Sequence, residues 1–165
     1  MAMSEYLRGI RSRIGADLLL IPAVAALIRN QHGQLLLHRR PDGSWSLPAG
    51  SIEPGETPAQ AVEREALEET GLRVHARGIA GVFGGASARI LCANGDQVEY
   101  VVTLFECTVA GGALNDSGDE TVELRFMDPS EAQSLLQFSY PSEILESASA
   151  AAYFQRQAVD DTGEG

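Results

Sequence analysis

Apolar positions along the chain change period in a way that predicts where helices stop and strands begin. Tyr6, Leu7, Ile10 and Ile14 repeat at helical spacing and Gly15 follows as a stop, so residues 4–14 are expected to form a short helix ahead of the main fold. Residues 18–20 and 23–28 are nearly unbroken apolar runs of strand length. Residues 30–33 make a polar turn and residues 34–39 the next strand, which is the pattern of a hairpin. Pro41-Asp42-Gly43 marks a second turn before a short strand at 45–47 that ends at Pro48. The clearest punctuation surrounds residues 58–70. Thr57 is a good N-cap, Pro58 falls at the first helical position, Gln60 completes a capping box, and Gly71 supplies the stop with Leu72 placed to close it. Farther on, residues 73–83, 89–92, 97–109 and 123–127 read as strands. Asn94-Gly95-Asp96 reads as a turn, and residues 110–119 as a loop rich in Gly and Asp. Residues 130–136 and 142–155 read as helices. With no repeat and no internal linker, residues 1–157 are expected to form one domain, a mixed sheet with helices against it, and residues 158–165 a frayed tail.

Composition narrows the chemistry. The chain has 165 residues, enough for one domain with a real core. Its 12 basic and 23 acidic residues leave a formal net charge of -11, and every basic residue is Arg because there is no Lys. Such a surface repels a nucleic-acid backbone, so no nucleic-acid polymer is expected as partner. Without Lys, neither a phosphate loop ending in Gly-Lys-Ser/Thr nor a Schiff-base mechanism is available. A polyanionic substrate must then be met by Arg and bound metal. Cys92 and Cys107 form no CxxC pair and are expected as buried thiols in a reducing cytoplasm. The apolar run at 18–28 is too short for a membrane span and contains Pro22. Arg8, Arg11 and Arg13, followed by Ala23-Val24-Ala25, imitate a signal peptide faintly, but cleavage there would remove a strand that the domain needs. The expectation is a cytoplasmic protein without membrane attachment, with a homodimer left open.

Glu65, Glu68 and Glu69 lie at i, i+3 and i+4 of the well-punctuated helix, within an arc of about 100°. Ala59, Val62 and Ala66 share an adjoining arc that can pack on the sheet, and Glu63 points roughly 160° away from Glu65. Like charges at these spacings repel, more strongly where water is partly excluded, so a counter-charge is expected. Hard divalent cations take oxygen ligands, and magnesium commonly uses one or two carboxylates together with substrate phosphates. On their own, three such Glu residues could equally be a solvated acidic face.

The surrounding residues separate these readings. Gly50-Ser51-Ile52-Glu53-Pro54-Gly55-Glu56, seven residues, then Arg64-Glu65-Ala66-Leu67-Glu68-Glu69-Thr70-Gly71-Leu72 resembles the Nudix box at every fixed position, over residues 50–72. Leu47-Pro48-Ala49 resembles the usual entry to that box. Physically, Gly50 would permit a tight turn that lets backbone carbonyls face a metal. Glu56, ahead of the helix, can reach Arg64 and hold the loop against it. The resemblance to the Nudix hydrolase family implies an α/β fold (α+β), an α/β/α sandwich with a mixed β-sheet. It also implies Mg2+, with Mn2+ as the alternative, held by the Ala49 carbonyl and by Glu65, Glu68 and Glu69. Ala49 stands where the family most often has Gly, a change that a backbone ligand tolerates.

The implied reaction is hydrolysis of a nucleoside diphosphate linked to another moiety, a small-molecule substrate, by water attack at phosphorus. The family draws its general base either from the box helix, here Glu68 or Glu69, or from a later loop, where Glu120 stands. Arg64 and Glu56 complete the expected catalytic group. Arg39, Arg40 and Arg89 are candidates for phosphate contact, and Trp45, Phe83 and Tyr100 for stacking on a base, though each also suits a framework role. His32, His38 and His75 form no ligand spacing and receive no role. The sequence does not choose among ADP-ribose, nucleotide sugars, nucleoside triphosphates and dinucleoside polyphosphates. The alternative is a Nudix-like module that binds or senses a nucleotide without cleaving it, although such modules lose box carboxylates that this chain keeps. Asn115-Asp116-Ser117-Gly118-Asp119-Glu120 does not follow the ligand pattern of a calcium-binding EF-hand loop.

Overall fold

A computed structural model describes residues 4–92, 94–115, 120–147 and 152–154. The first helix, α1 (Glu5–Ile14), is capped by the Ser4 hydroxyl, which accepts from the Leu7 N–H, and ends at Gly15, whose φ is 62°. None of its residues is buried, so it lies on the surface. Strand β1 (Leu19–Ile28) runs through Pro22 as one strand rather than two. It lies between β4 (Ala49–Ser51), antiparallel to it, and β7 (Gln97–Gly112), parallel to it. β7 pairs on its other side with β5 (Leu72–Phe83) and, near its start, with the short β6 (Arg89–Leu91). A two-residue strand, β9 (Tyr153–Phe154), lies parallel to β5 at the edge.

A second, three-stranded antiparallel sheet places β2 (Leu35–Arg39) between β3 (Trp45–Ser46) and β8 (Glu123–Met127). The expected hairpin of β1 and β2 therefore does not exist as a pair within one sheet. The turn is there, with Gly33 at φ 79° and the Asn30 side chain accepting from the His32 and Gln34 N–H groups. The two strands then diverge into different sheets, joined by a single bridge between Arg29 and Leu35. Two adjacent apolar runs look alike in sequence whether they pair with each other or with distant partners.

Helices cover both faces of the larger sheet, giving an α/β/α sandwich. Alternate residues of β1 serve two cores, which is why its sequence is apolar without alternation. Val24, Ala26 and Ile28 pack with Ala61, Val62 and Ala66 of helix α2 (Pro58–Thr70). Ala23, Ala25 and Leu27 pack with Ala132, Ile144 and Leu145 from α3 (Pro129–Leu135) and α4 (Ser142–Glu146). Full burial of Val62 alone is worth about 1.5–2 kcal/mol. Ala59, expected on this arc, is exposed, and Ala61 takes its place.

The capping box of α2 forms as read: the Thr57 hydroxyl accepts from the Gln60 N–H and the Gln60 side chain accepts from the Thr57 N–H. Gly71 closes the helix at φ 76°. The helix expected at 142–155 stops at Glu146. Residues 148–151 and 155 lie outside the described residues, and Tyr153 and Phe154 are strand, with Tyr153 stacked on Phe83 at 5.6 Å. The expected tail at 158–165 also lies outside the described residues, as do residues 116–119 of the acidic loop.

Candidate active site

The acidic edge of α2 lies against β4. Glu65 and Glu69 are buried, while Glu68 is turned outward with 57% of its side chain exposed. Glu69 accepts a hydrogen bond from the Ala49 N–H at 2.8 Å. Glu65 lies over Gly50 so closely that a Cβ at that position would overlap its carboxylate. Gly50 is thus required for space. The tight turn expected of it is absent, because it sits within a strand and is not among the glycines with positive φ.

Arg64 holds the loop that enters this helix. Its Nε and one terminal nitrogen donate to the two oxygens of Glu56 at 2.7 and 3.0 Å, and the same nitrogen donates to the Ser51 carbonyl at 3.1 Å. Its other terminal nitrogen donates to Glu65 at 2.8 Å and Glu68 at 3.1 Å. Glu56 in turn accepts from the Glu53 N–H at 3.0 Å, which closes the loop on itself. The Arg64 hydrogen bonds hold the Glu56 carboxyl below the usual carboxylate range, and Glu56 in return keeps the guanidinium charged.

A buried network absent from the sequence reading supports the other side. His38 on β2 is fully buried; its Nε2 lies 2.6 Å from the Ser46 hydroxyl and its Nδ1 3.2 Å from the Thr121 hydroxyl. Thr121 donates to the Glu69 main-chain carbonyl at 3.0 Å, tying the residue after Glu120 to the end of α2. His38 Nε2 also lies 3.5 Å from the Glu69 carboxylate. Burial, with the nearby Arg40 charge, pushes the His38 pKa down to about 4, so at neutral pH this contact is not an ion pair. Neighbouring sequence gave no hint of His38, because its partners arrive from β3 and from a loop more than eighty residues away.

Burial pushes the Glu69 pKa up to about 8 against the pull of the Ala49 N–H, and the negative charges of Glu65 and Glu120 add to it. Burial also raises Glu65, with Arg64 opposing. The field of Glu120 reaches His38, Glu65 and Glu69, so this loop residue stands near the acid cluster. Negative charge therefore exceeds the positive charge placed to balance it, and every donor is a hard oxygen, a set that suits a hard divalent cation. Among the described residues no three acidic, imidazole or thiol groups already converge on one point, since Glu68 faces Arg64.

A cleft of about 270 Å³ adjoins Ala49 and Gly50. Arg40, Arg89 and Tyr100 line it, as do Phe138 and Tyr140, which the sequence reading did not single out. The other candidates serve the framework. Arg39 pairs with Glu123 at 3.0 Å, Trp45 is flanked by Arg39 and Arg125, and Phe83 is buried among Phe138, Tyr140 and Tyr153. Glu63 faces away from the site and accepts from the Ala76 N–H at 3.0 Å. No helix among the described residues is long and apolar enough to cross a membrane.

Known proteins with this pattern agree on a family. A model of the NUDIX domain matches residues 19–147. A MutT-like protein of Streptomyces ambofaciens is 32% identical over 130 residues, 78% of this chain and 77% of its own. An ADP-ribose pyrophosphatase of Methanocaldococcus jannaschii is 35% identical over 117 residues, 67% of this chain and 64% of its own. The crystal structure of an ADP-ribose pyrophosphatase from Streptococcus suis superposes with a TM-score of 0.63 at 24% identity, over 81% of this chain and 96% of that one. At that identity the likeness speaks for the fold alone.

Proposed function

This chain belongs to the Nudix hydrolase family, whose reaction class is hydrolysis of a diphosphate linkage, and we propose that it runs that reaction on a small nucleotide derivative with a divalent metal. The metal would be held by Glu65, Glu69 and the Ala49 carbonyl, and by Glu68 once it rotates inward from Arg64. One observation supports this reading above the others: two carboxylates are buried together against the β4 backbone, where their charged forms are disfavoured. Magnesium is the first candidate and manganese the second.

When bound, the metal would neutralise charge on the diphosphate and make water easier to deprotonate. Arg64 and Glu56 fix the loop between β4 and α2, so that Glu65 and the Ala49–Gly50 backbone keep their spacing. Thr121, next to Glu120 and itself contacted by His38, ties the loop before β8 to the Glu69 main chain. Water adds its oxygen to one phosphorus, and the bond from that phosphorus to the bridging oxygen breaks. Each fragment then leaves carrying phosphate. The proton goes to a carboxylate, either Glu68 or Glu69 on the helix or Glu120 on the loop.

A screen of ADP-ribose, nucleotide sugars, nucleoside triphosphates and dinucleoside polyphosphates in ¹⁸O-labelled water tests the reading. Turnover should need magnesium or manganese, stop with a chelator, and put the label on one phosphate-bearing product. Full turnover of every accepted substrate in metal-free buffer would contradict it.

A further inference from the structure

One wall of the cleft beside Ala49 and Gly50 is held in place by side chains. Phe138 and Tyr140 form it, and they lie in the irregular stretch between α3 and α4. Among the described residues, the backbone of residues 138–140 makes no hydrogen bond to other backbone. The nearest such bonds flank it: the Gln137 N–H donates to the Trp45 carbonyl at 3.3 Å, and the Pro141 carbonyl accepts from Ile144 at 3.1 Å. Between those points the two rings rest on each other, with centroids 4.8 Å apart, and on Phe83 of β5. Phe83 meets Phe138 at 6.2 Å and Tyr140 at 5.2 Å, both nearly perpendicular. Tyr153 of β9 then covers a face of the Phe83 ring, stacked at 5.6 Å with the planes 12° apart. Gly81, the pairing partner of Tyr153, leaves room for that stack. A Cβ there would lie 2.8 Å from the Phe83 ring and 3.3 Å from the Tyr153 Cβ. Tyr153 does not line the cleft, and it lies outside residues 19–147, the span matched by the NUDIX domain. Without its ring, Phe83 would lose the partner atoms on one face and could tip, and the two wall rings that lean on it would follow.

We propose that Tyr153 is a positioning residue for substrate binding: through Phe83 it fixes the Phe138 and Tyr140 rings that bound the group seated beside the linkage being split. Removing it loosens the wall and weakens binding. The acid cluster on α2 has no part in the aromatic stack, so the chemical step keeps its rate. This inference rests on the hydrolase reading of the same site.

The test compares wild type with Tyr153→Ala, Tyr153→Phe and Gly81→Ala in the full chain. The analogue α,β-methylene-ADP, whose two phosphorus atoms are joined through carbon and are not split by water, is titrated in the presence of magnesium. Alongside it, kcat and KM are measured for ADP-ribose and GTP, and amide hydrogen exchange is followed over residues 136–141. Tyr153→Ala should raise Kd and KM by roughly 3- to 10-fold, the scale of one lost aromatic pair, and leave kcat within about twofold. Exchange over 136–141 should quicken while α2 keeps its protection. Tyr153→Phe keeps the ring and should restore wild-type values. Gly81→Ala crowds the same stack and should raise Kd in the same direction as Tyr153→Ala. A Tyr153→Ala protein that melts lower yet binds the analogue as wild type does would reduce Tyr153 to a structural role and overturn the inference. A loss confined to kcat would overturn it too, as would wild type that does not bind the analogue. Wild type that binds the analogue but hydrolyses neither substrate counts against the hydrolase reading alone, and the Kd comparison then decides the inference.

Discussion

Glu69 exposes only 4% of its side chain, so burial carries its pKa from 4.5 to about 8 against the opposing pull of the Ala49 N–H donor. Between those values the metal-free native state holds a proton that the unfolded chain has lost, and stability must fall as pH rises. His38 works in the other direction: its pKa drops from 6.5 to about 4, so stability is lost as pH falls through that range. The two effects oppose each other between 4.5 and 6.5, and from 6.5 to 8 Glu69 acts without that offset. One pKa unit is worth about 1.4 kcal/mol, so the cost near pH 8 is on the order of 2–3 kcal/mol after relaxation. With a chelator present, wild-type Tm should therefore decline from pH 6.5 to 8, while Glu69→Gln stays flatter and melts higher at pH 8. Added magnesium should restore wild type and leave the variant almost unchanged. A Glu69→Gln protein less stable than wild type at pH 8 without metal would contradict the burial argument.

The contact between β4 and α2 turns single residues into a site. α2 could be read to the residue because its signals are local: Thr57, Pro58, Gln60 and Gly71 each act through neighbouring backbone. β4 could not, since Ala49-Gly50-Ser51 has no apolar alternation and its pairing partner, Ala23 to Ala25 of β1, is distant in sequence. Gly50 was conspicuous in the motif, but its physical reason appears only when Glu65 is seen to occupy the space of its missing side chain. Gly50→Ala should push the Glu65 carboxylate aside without demanding a forbidden backbone angle. The strand should survive, with a stability loss of about 1–3 kcal/mol from overpacking. A misplacement on the order of 1 Å costs roughly 10²-fold in rate, so hydrolysis should drop by about that factor while circular dichroism keeps its shape. Near-normal turnover would mean that the Glu65 position does not matter.

At the scale of the whole molecule, the acid cluster sits where separate parts of the chain meet. β4 and α2 belong to the larger sheet's side, His38 and Ser46 come from the smaller sheet, and Thr121 arrives from the loop before β8. The carboxylates and the Arg64 clamp were legible because one continuous segment supplies them. The His38 network, the division into two sheets and the aromatic wall of the cleft were not, because each depends on pairings between distant segments. α2 itself carries acids on two sides: Glu65 and Glu69 face this junction, whereas Glu63 faces β5 and accepts from the Ala76 N–H. That asymmetry gives the most direct test, the catalytic rates of Glu69→Gln and Glu63→Gln at saturating magnesium, with circular dichroism to confirm folding. Each change removes one charge from the same helix and keeps the side-chain shape. Glu69→Gln should lose on the order of 10²- to 10³-fold in kcat. Glu63→Gln keeps an acceptor for Ala76, so it should stay within a few-fold of wild type and within about 0.5–1 kcal/mol in stability. Equal losses in the two variants, or an unimpaired Glu69→Gln enzyme, would contradict the placement of the reaction on this face of α2.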